Sequence, residues 1–282
     1  MFTGMPGSAA RTALAGTRFA DVRWVAETGS TNADVIDLAR QGAGEGVVVV
    51  ADHQTAGRGR RGRSWAAPPG ASLLVSVLLR PPARVAGMVT MAAAAAAAEA
   101  VAVVAGVEAR LKWPNDLVWP GDGSAPDRKL AGLLAEADWP PGSDVAAGWR
   151  APAAGERAVV VVGMGLNVDW PEPLPDDLAG IAVALNQICG RRVDREALLV
   201  EWLRRLDTHY GALVASGDPA PLLADWRQRS ATLGRPVRVD VGNEDVSGTA
   251  VDVTADGRLV VETPDGARRT LAVGDVVHLR PA

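Results

Sequence analysis

The sequence predicts an α+β protein in two parts, a mixed α/β domain followed by a small all-β domain. Three observations carry that reading. Apolar runs of strand length at residues 47–51 and 72–79 have the form of buried strands. Residues 85–105 contain a run of seven alanines, and alanine is the best helix former, so a long packed helix is expected there. After Leu233-Gly234-Arg235-Pro236 the pattern changes to short alternating runs at 237–241, 247–251, 259–262, 268–271 and 276–279. Gly, Asn and Asp turns divide them, which describes a small β-barrel of about 50 residues.

The other elements follow from local signals. Residues 1–20 are small and polar without periodicity and read as a loosely ordered leader. Residues 22–27 read as a short strand. Ser30-Thr31-Asn32 precedes a helix over 33–40, where Val35, Ile36, Leu38 and Ala39 recur at helical spacing. Thr31 with Asp34 fits a capping box, and Gly42 sits where a glycine would stop the helix. A glycine- and arginine-rich loop spans 57–69. Strands are expected at 110–113, 129–137 and 158–168, loops at 120–128 and 142–155, and helices at 178–189, 195–215 and 219–229. The larger domain therefore covers 21–232 and the smaller one 233–282.

With 282 residues, 22% of them charged, and a formal charge of −4, the chain has the composition of an ordinary soluble domain and lacks the basic balance of a generic nucleic-acid binder. One cysteine, Cys189, excludes an internal disulfide framework or a Cys-rich zinc site and reads as a buried structural thiol. Residues 89–107 read as too weakly hydrophobic for a membrane span, and no secretory signal is evident, so a cytoplasmic location is expected. Of 29 basic residues only Lys112 and Lys129 are lysines. In a chain so rich in Ala, Gly, Pro and Arg, a surviving lysine marks a place where a compact ammonium differs from a planar guanidinium.

Four clusters carry possible chemistry. Gly57-Arg58-Gly59-Arg60-Arg61-Gly62 matches a dinucleotide fingerprint in letters only, because it runs into Arg63, Ser64, Trp65, Pro68 and Pro69 rather than opening a helix. Its arginines form either a mobile cationic loop for carboxylate and phosphate oxygens or a solvated surface loop. Lys112-Trp113-Pro114-Asn115-Asp116 leaves a strand in extended form and presents Asn115 and Asp116, either to a nucleotide and Mg²⁺ or as a simple turn. Lys129 opens the apolar run 129–134. Gly163-Met164-Gly165-Leu166-Asn167 is a strand whose glycines admit a ligand or mark a bulge. No Walker A loop is possible, because neither lysine follows a glycine.

Taken in order, these segments resemble the biotin protein ligases over residues 25–280: Ser30-Thr31-Asn32, Gln54 with 57–62 and Trp65, 112–116, 129–134 and 163–167. The resemblance implies a catalytic domain like that of class II aminoacyl-tRNA synthetases, a mixed sheet flanked by helices, with an SH3-like C-terminal barrel. It implies a two-step reaction in which biotin and MgATP give biotinyl-5′-AMP, and the acyl group then passes to a lysine of a biotin carboxyl carrier domain of acyl-CoA or pyruvate carboxylases. Lys129 and Arg58 would be catalytic. Ser30, Thr31, Asn32, Gln54, Arg58, Gly59, Arg60 and Lys129 would bind biotin, with Ser30, Thr31 and Gln54 on the ureido ring. Arg58, Arg60, Trp65, Lys112, Asn115, Lys129 and Asn167 would bind ATP, Trp65 by stacking on adenine. Asp116 would hold the metal.

Two departures accompany the resemblance. The stretch between Asp116 and Lys129 is longer than in compact members, and only 29 residues precede Ser30, too few for the winged helix of repressor members. The expectation is thus a monomer or weak homodimer without DNA or membrane partners. The alternatives are a lipoate or octanoate ligase of the same superfamily and, against the charge balance, a biotin-responsive DNA-binding regulator.

Overall fold

The structure is a computed structural model that describes residues 7–121, 126–138, 155–242, 244–272 and 274–278. The expected loop at 142–155 (but for Gly155), residues 122–125 of the 120–128 loop, and Arg280 lie outside the described residues.

The apolar runs form a seven-stranded mixed sheet in the order β1-β2-β3-β7-β6-β5-β4. Its strands are β1 (Val22–Thr28), β2 (Val48–Gln54), β3 (Ser72–Leu79), β4 (Arg110–Lys112), β5 (Asp116–Trp119), β6 (Arg128–Asp138) and β7 (Val159–Asn167). Only β1 and β2 pair in parallel. Strand parity sorts the central residues between two faces. On one face Leu73, Val75, Val77 and Leu79 of β3 and Val160, Val162, Met164 and Leu166 of β7 join the main core. That core also holds α3 (Val89–Ala105), α5 (Arg195–Ser216) and α6 (Ala220–Arg229). On the other face Leu78 and Val161 pack with Val35 of α2 (Thr31–Arg40). Ser76, Gly163 and Gly165 share this second face, so the sheet has little bulk beside the start of α2. The functional cleft forms there.

The alanine helix is long and apolar enough to pass for a membrane span by composition, contrary to the sequence expectation. Its place in the core accounts for its apolar character: all seven alanines, 92–98, are at most 3% exposed, and the Trp202 indole of α5 donates to the Ala93 carbonyl. Small side chains on α3 let α5 approach closely.

The leader is also corrected. Residues 8–13 form a helix, α1 (Ser8–Ala13), and Ala10, Leu14 and Phe19 are buried in the main core. The Glu196 carboxylate of α5 accepts from the Gly7 and Ala10 amides, so polar bonds as well as apolar burial dock this segment. The capping box did not form. Ser30 is the N-cap, Thr31 lies inside the helix, and Asp34 accepts from the Thr28 hydroxyl. The expected helix at 178–189 is confined to α4 (Leu185–Cys189). At 110–119 the chain does not leave β4 in extended form: it reverses at once into β5, pairing Lys112 with Asp116.

The C-terminal strands β8 (Pro236–Asp240), β9 (Asp245–Val253), β10 (Leu259–Glu262), β11 (Arg268–Leu271) and β12 (Asp275–His278) form an antiparallel sheet in the order β11-β10-β9-β8-β12. Alternation buries Val237 and Val239 while Arg238 and Asp240 face outward. The small domain is docked rather than tethered. Its apolar residues are continuous with the main core, Arg227 of α6 binds Asp252 and the Val253 carbonyl, and the Trp113 indole donates to the Gly257 carbonyl.

Candidate active site

A cleft of about 200 Å³ opens at the start of α2, between the glycine strands, the arginine loop and the small domain. It gathers nearly every residue the sequence singled out. Ser30, Thr31, Asn32 and Gln54 line one end. Arg58, Gly59, Arg60 and Trp65 form the loop side, and Lys112, Asn115, Asp116 and Lys129 the other end.

At the first end the side chains order one another. Gln54 Oε1 accepts from the Thr31 amide at 2.8 Å and the Thr31 hydroxyl at 3.0 Å. Ser30, Thr31 and Asn32 are at most 6% exposed, and the side chains of Thr31 and Asn32 are held by protein partners in this dry corner. The glycines of β7 make that corner possible. A Cβ at Gly163 would lie 2.1 Å from Asn32 Oδ1, and one at Gly165 2.4 Å from the Trp65 ring.

Trp65 forms part of the floor. Its ring lies against Gly132 and Gly165, the Lys129 ammonium stands 5.5 Å from the ring centroid, and its Nε1 is buried without an acceptor. A buried indole N–H left unpaired costs about 1–3 kcal/mol, which a ligand acceptor would recover.

At the other end, hairpin pairing across β4, β5 and β6 brings Lys112, Asp116 and Lys129 together. Lys129 Nζ is 2.7 Å from Asp116 Oδ1, a close ion pair. Burial, helped by Lys129 and Arg235, lowers the Lys112 pKa against the opposing pull of Asp116 and Asp127. Arg60 donates to Asn115 Oδ1 at 3.1 Å, and burial lowers its pKa despite Asp275 and Asp116. The Asn115 amide is anchored on the Leu133 carbonyl, which fixes the turn. Such a site can neutralise a polyanion at one end and hold a neutral polar ring at the other.

The loop arginines have carboxylate partners on both sides. Arg61, at φ +56°, binds Asp240 at 2.9 Å, Arg63 binds Asp275 at 2.9 Å, and Arg58 binds Glu136 at 2.9 Å. The small domain therefore supplies carboxylates to the loop. Its own arginines are engaged elsewhere: Arg235 with Asp127, Arg258 with Asp256, Arg268 with Glu262 and Arg269 with Glu244.

Residues 27–139 match the Biotin/lipoate A/B protein ligase family, and residues 232–279 the Biotin protein ligase C terminal domain. A Biotin--[acetyl-CoA-carboxylase] ligase of Mycobacterium tuberculosis is 38% identical, covering 94% of this chain and 92% of its own length. The chain belongs to the biotin protein ligase family. A second relative of the same name, from Paracoccus denitrificans, is 32% identical over 89% of this chain and 98% of its own. The Bifunctional ligase/repressor BirA of Bacillus subtilis is 32% identical over 85% of this chain and 69% of its own. The fold is that of the Aquifex aeolicus biotin protein ligase solved with biotin and ATP, with a TM-score of 0.73, 23% identity, and coverage of 93% of this chain and all of that one.

One residue named with the others is not brought to the cleft with them. Asn167 does not line the cleft. It is 6% exposed, its amide donates to the Val183 carbonyl and its Oδ1 accepts from Ser72, so it holds strand to loop. The sequence reading also missed residues. Ser76 and Glu136 bond to cleft residues, and Ser76 interrupts the apolar run of β3, a signal that was available. Asp240 and Asp275, the partners of the loop arginines, carried no local signal.

Proposed function

We propose that this chain is a biotin–[acetyl-CoA-carboxylase] ligase: it activates biotin with ATP and transfers the acyl group to a lysine of a biotin carboxyl carrier domain. The observation that carries the reading is that the only two lysines of the chain line one cleft, with the loop arginines beside them.

In the first step a biotin carboxylate oxygen attacks the α-phosphorus of ATP and pyrophosphate leaves. Two anions must meet, so the repulsion has to be cancelled and the charge on the phosphoryl oxygens stabilised. Lys129, Arg58 and Arg60 supply that positive charge, with Lys112 on the nucleotide side. Thr31 and Gln54 meet the ureido N–H and carbonyl groups, which need partners once buried. The loop covers the mixed anhydride and keeps water from it. In the second step the acceptor amine attacks the acyl carbon and AMP leaves. Trp65 provides the aromatic surface for adenine, and the use of ATP supports a cytoplasmic location.

Asp116 fits a divalent cation shared with nucleotide phosphates. Its carboxylate lines the cleft beside Lys112 and Lys129, where phosphates would bind, and Mg²⁺ is commonly held by one or two carboxylates plus phosphates. Bound there, Mg²⁺ would supply charge neutralisation at the phosphates.

The test is ATP-dependent transfer of labelled biotin to a purified carrier domain, with labelled lipoate and octanoate in parallel. Transfer of biotin alone supports the reading. Transfer of lipoate or octanoate in its place overturns it.

A further inference from the structure

A continuous line of hydrogen bonds joins the two ends of the loop-covered half of the cleft. Gln54 Oε1 accepts from the Thr31 amide, and Thr31 Oγ1 lies 2.7 Å from Ser76 Oγ. Ser76 Oγ donates to Asn32 Oδ1 at 2.6 Å, and Asn32 Nδ2 donates to Glu136 Oε2 at 2.8 Å. That same carboxylate oxygen accepts from Arg58 Nη2 at 2.9 Å. The line starts at the polar ring end and finishes on the first arginine of the loop. Neither Ser76 nor Glu136 lines the cleft.

Donor and acceptor chemistry fixes the direction of most of the line. Asn32 Oδ1 and the Glu136 carboxylate only accept, so the single Ser76 proton is committed to Asn32 and both N–H donors point at Glu136. The Ser76 oxygen is then left as an acceptor facing Thr31. The one Thr31 hydroxyl proton has two acceptors within reach, Ser76 Oγ and Gln54 Oε1. A ligand N–H that donates to Thr31 Oγ1, or a ligand that engages Gln54, changes which of the two takes it. Ser76 is wholly buried in β3, where an unpartnered hydroxyl is penalised, so the bonds through it resist breaking. The backbone is shaped for the line as well, since any side chain at Gly163 would displace Asn32.

We propose that Ser76 and Glu136 are positioning residues that couple the Thr31–Gln54 end of the cleft to the arginine loop through Asn32. Filling the ring end thereby sets the placement of Arg58. The proposal rests on the reading above for what fills that end.

The experiment uses the full chain with Ser76→Ala, Glu136→Gln and the double variant. Amide exchange of residues 57–65 and of Thr31 is measured without ligand, followed by biotin KM and kcat in adenylate formation. Ser76 makes no bond to the loop, so faster loop exchange in Ser76→Ala reports the line itself. The expected result is loop exchange about 3- to 10-fold faster in Ser76→Ala, and Thr31 exchange faster in Glu136→Gln. Biotin KM should rise about 5- to 10-fold in each with kcat within about 2-fold, and the double variant should be no worse than the worse single one. Wild-type loop exchange in Ser76→Ala, or additive effects in the double variant, overturns the coupling. Should Ser76→Ala not fold, Glu136→Gln decides through Thr31: an unchanged Thr31 amide and an unchanged biotin KM overturn the proposal. Loop exchange needs no substrate, so a failure of the ligase reading shows separately, as a wild-type chain that does not use biotin.

Discussion

Arg63 Nη2 lies 2.9 Å from both carboxylate oxygens of Asp275, which fastens the loop of the large domain to the last strand of the small one. Arg61 adds a second fastening on Asp240, with a longer contact to Asp275 at 3.4 Å. The small domain thus acts on the cleft by holding its cover.

Asp275→Asn should therefore separate cover from stability. Half-exposed ion pairs contribute about 0–1 kcal/mol, so the melting temperature should change little. Release of biotinyl-5′-AMP should quicken by about 3- to 10-fold as the loop loosens. Trapping the released adenylate measures this, and a wild-type release rate would show that the loop closes without the barrel.

Lys129→Arg should fail although it keeps the charge. The ammonium sits 2.7 Å from Asp116, and Cβ at Gly132 would already approach it to 3.0 Å, so a wider planar group lacks room. A loss of about 100-fold in adenylate formation, close to 3 kcal/mol of transition-state stabilisation, is expected in single-turnover assays. A near-normal rate would refute this and the significance given to the two lysines.

Gly163→Ala and Gly165→Ala should differ in stability. The first drives a methyl into Asn32, which is bonded to Ser76 and Glu136, and should cost about 1–3 kcal/mol. The second meets the Trp65 ring, and that side chain can leave the floor. Urea denaturation of the two variants should rank Gly163→Ala as the less stable, and the reverse order would contradict the packing described.

His278 makes stability depend on pH. Burial first, then Lys112 and Arg235, push its pKa down to about 4, against the opposing effect of Asp127. The neutral ring donates from Nδ1 to Asp127, leaving Nε2 to face the Thr232 hydroxyl. The native state takes up its proton at lower pH than the unfolded chain, so this stabilisation is complete above about pH 6.5 and is lost as pH falls toward 4. It amounts to about 3 kcal/mol. His278→Asn should flatten the acid limb of a denaturation series over that window. A slope equal to wild type would remove His278 from the account.

The sequence was most legible where a residue's role is local. Apolar runs gave β2, β3 and β7, and the order of the motifs gave the lining of the cleft, because strand ends and tight turns carry their own residue signals. It misled where tertiary partners decide. The 8–20 segment looked loose until Glu196 and the core claimed it, and nothing near 57–65 marked Asp240 and Asp275, about 180–210 residues away, as partners of its arginines. The partners of Asn167, Ser72 and Val183, are set by strand pairing and loop return and left no local mark.

The most direct test of the central claim is exchange of labelled pyrophosphate into ATP by the purified chain with biotin, lipoate or octanoate as the acid. Exchange reports reversible adenylate formation alone and needs no carrier protein. The account predicts exchange that depends on biotin and Mg²⁺ and falls about 100-fold in Lys129→Arg. Exchange driven by lipoate or octanoate but not biotin would contradict it.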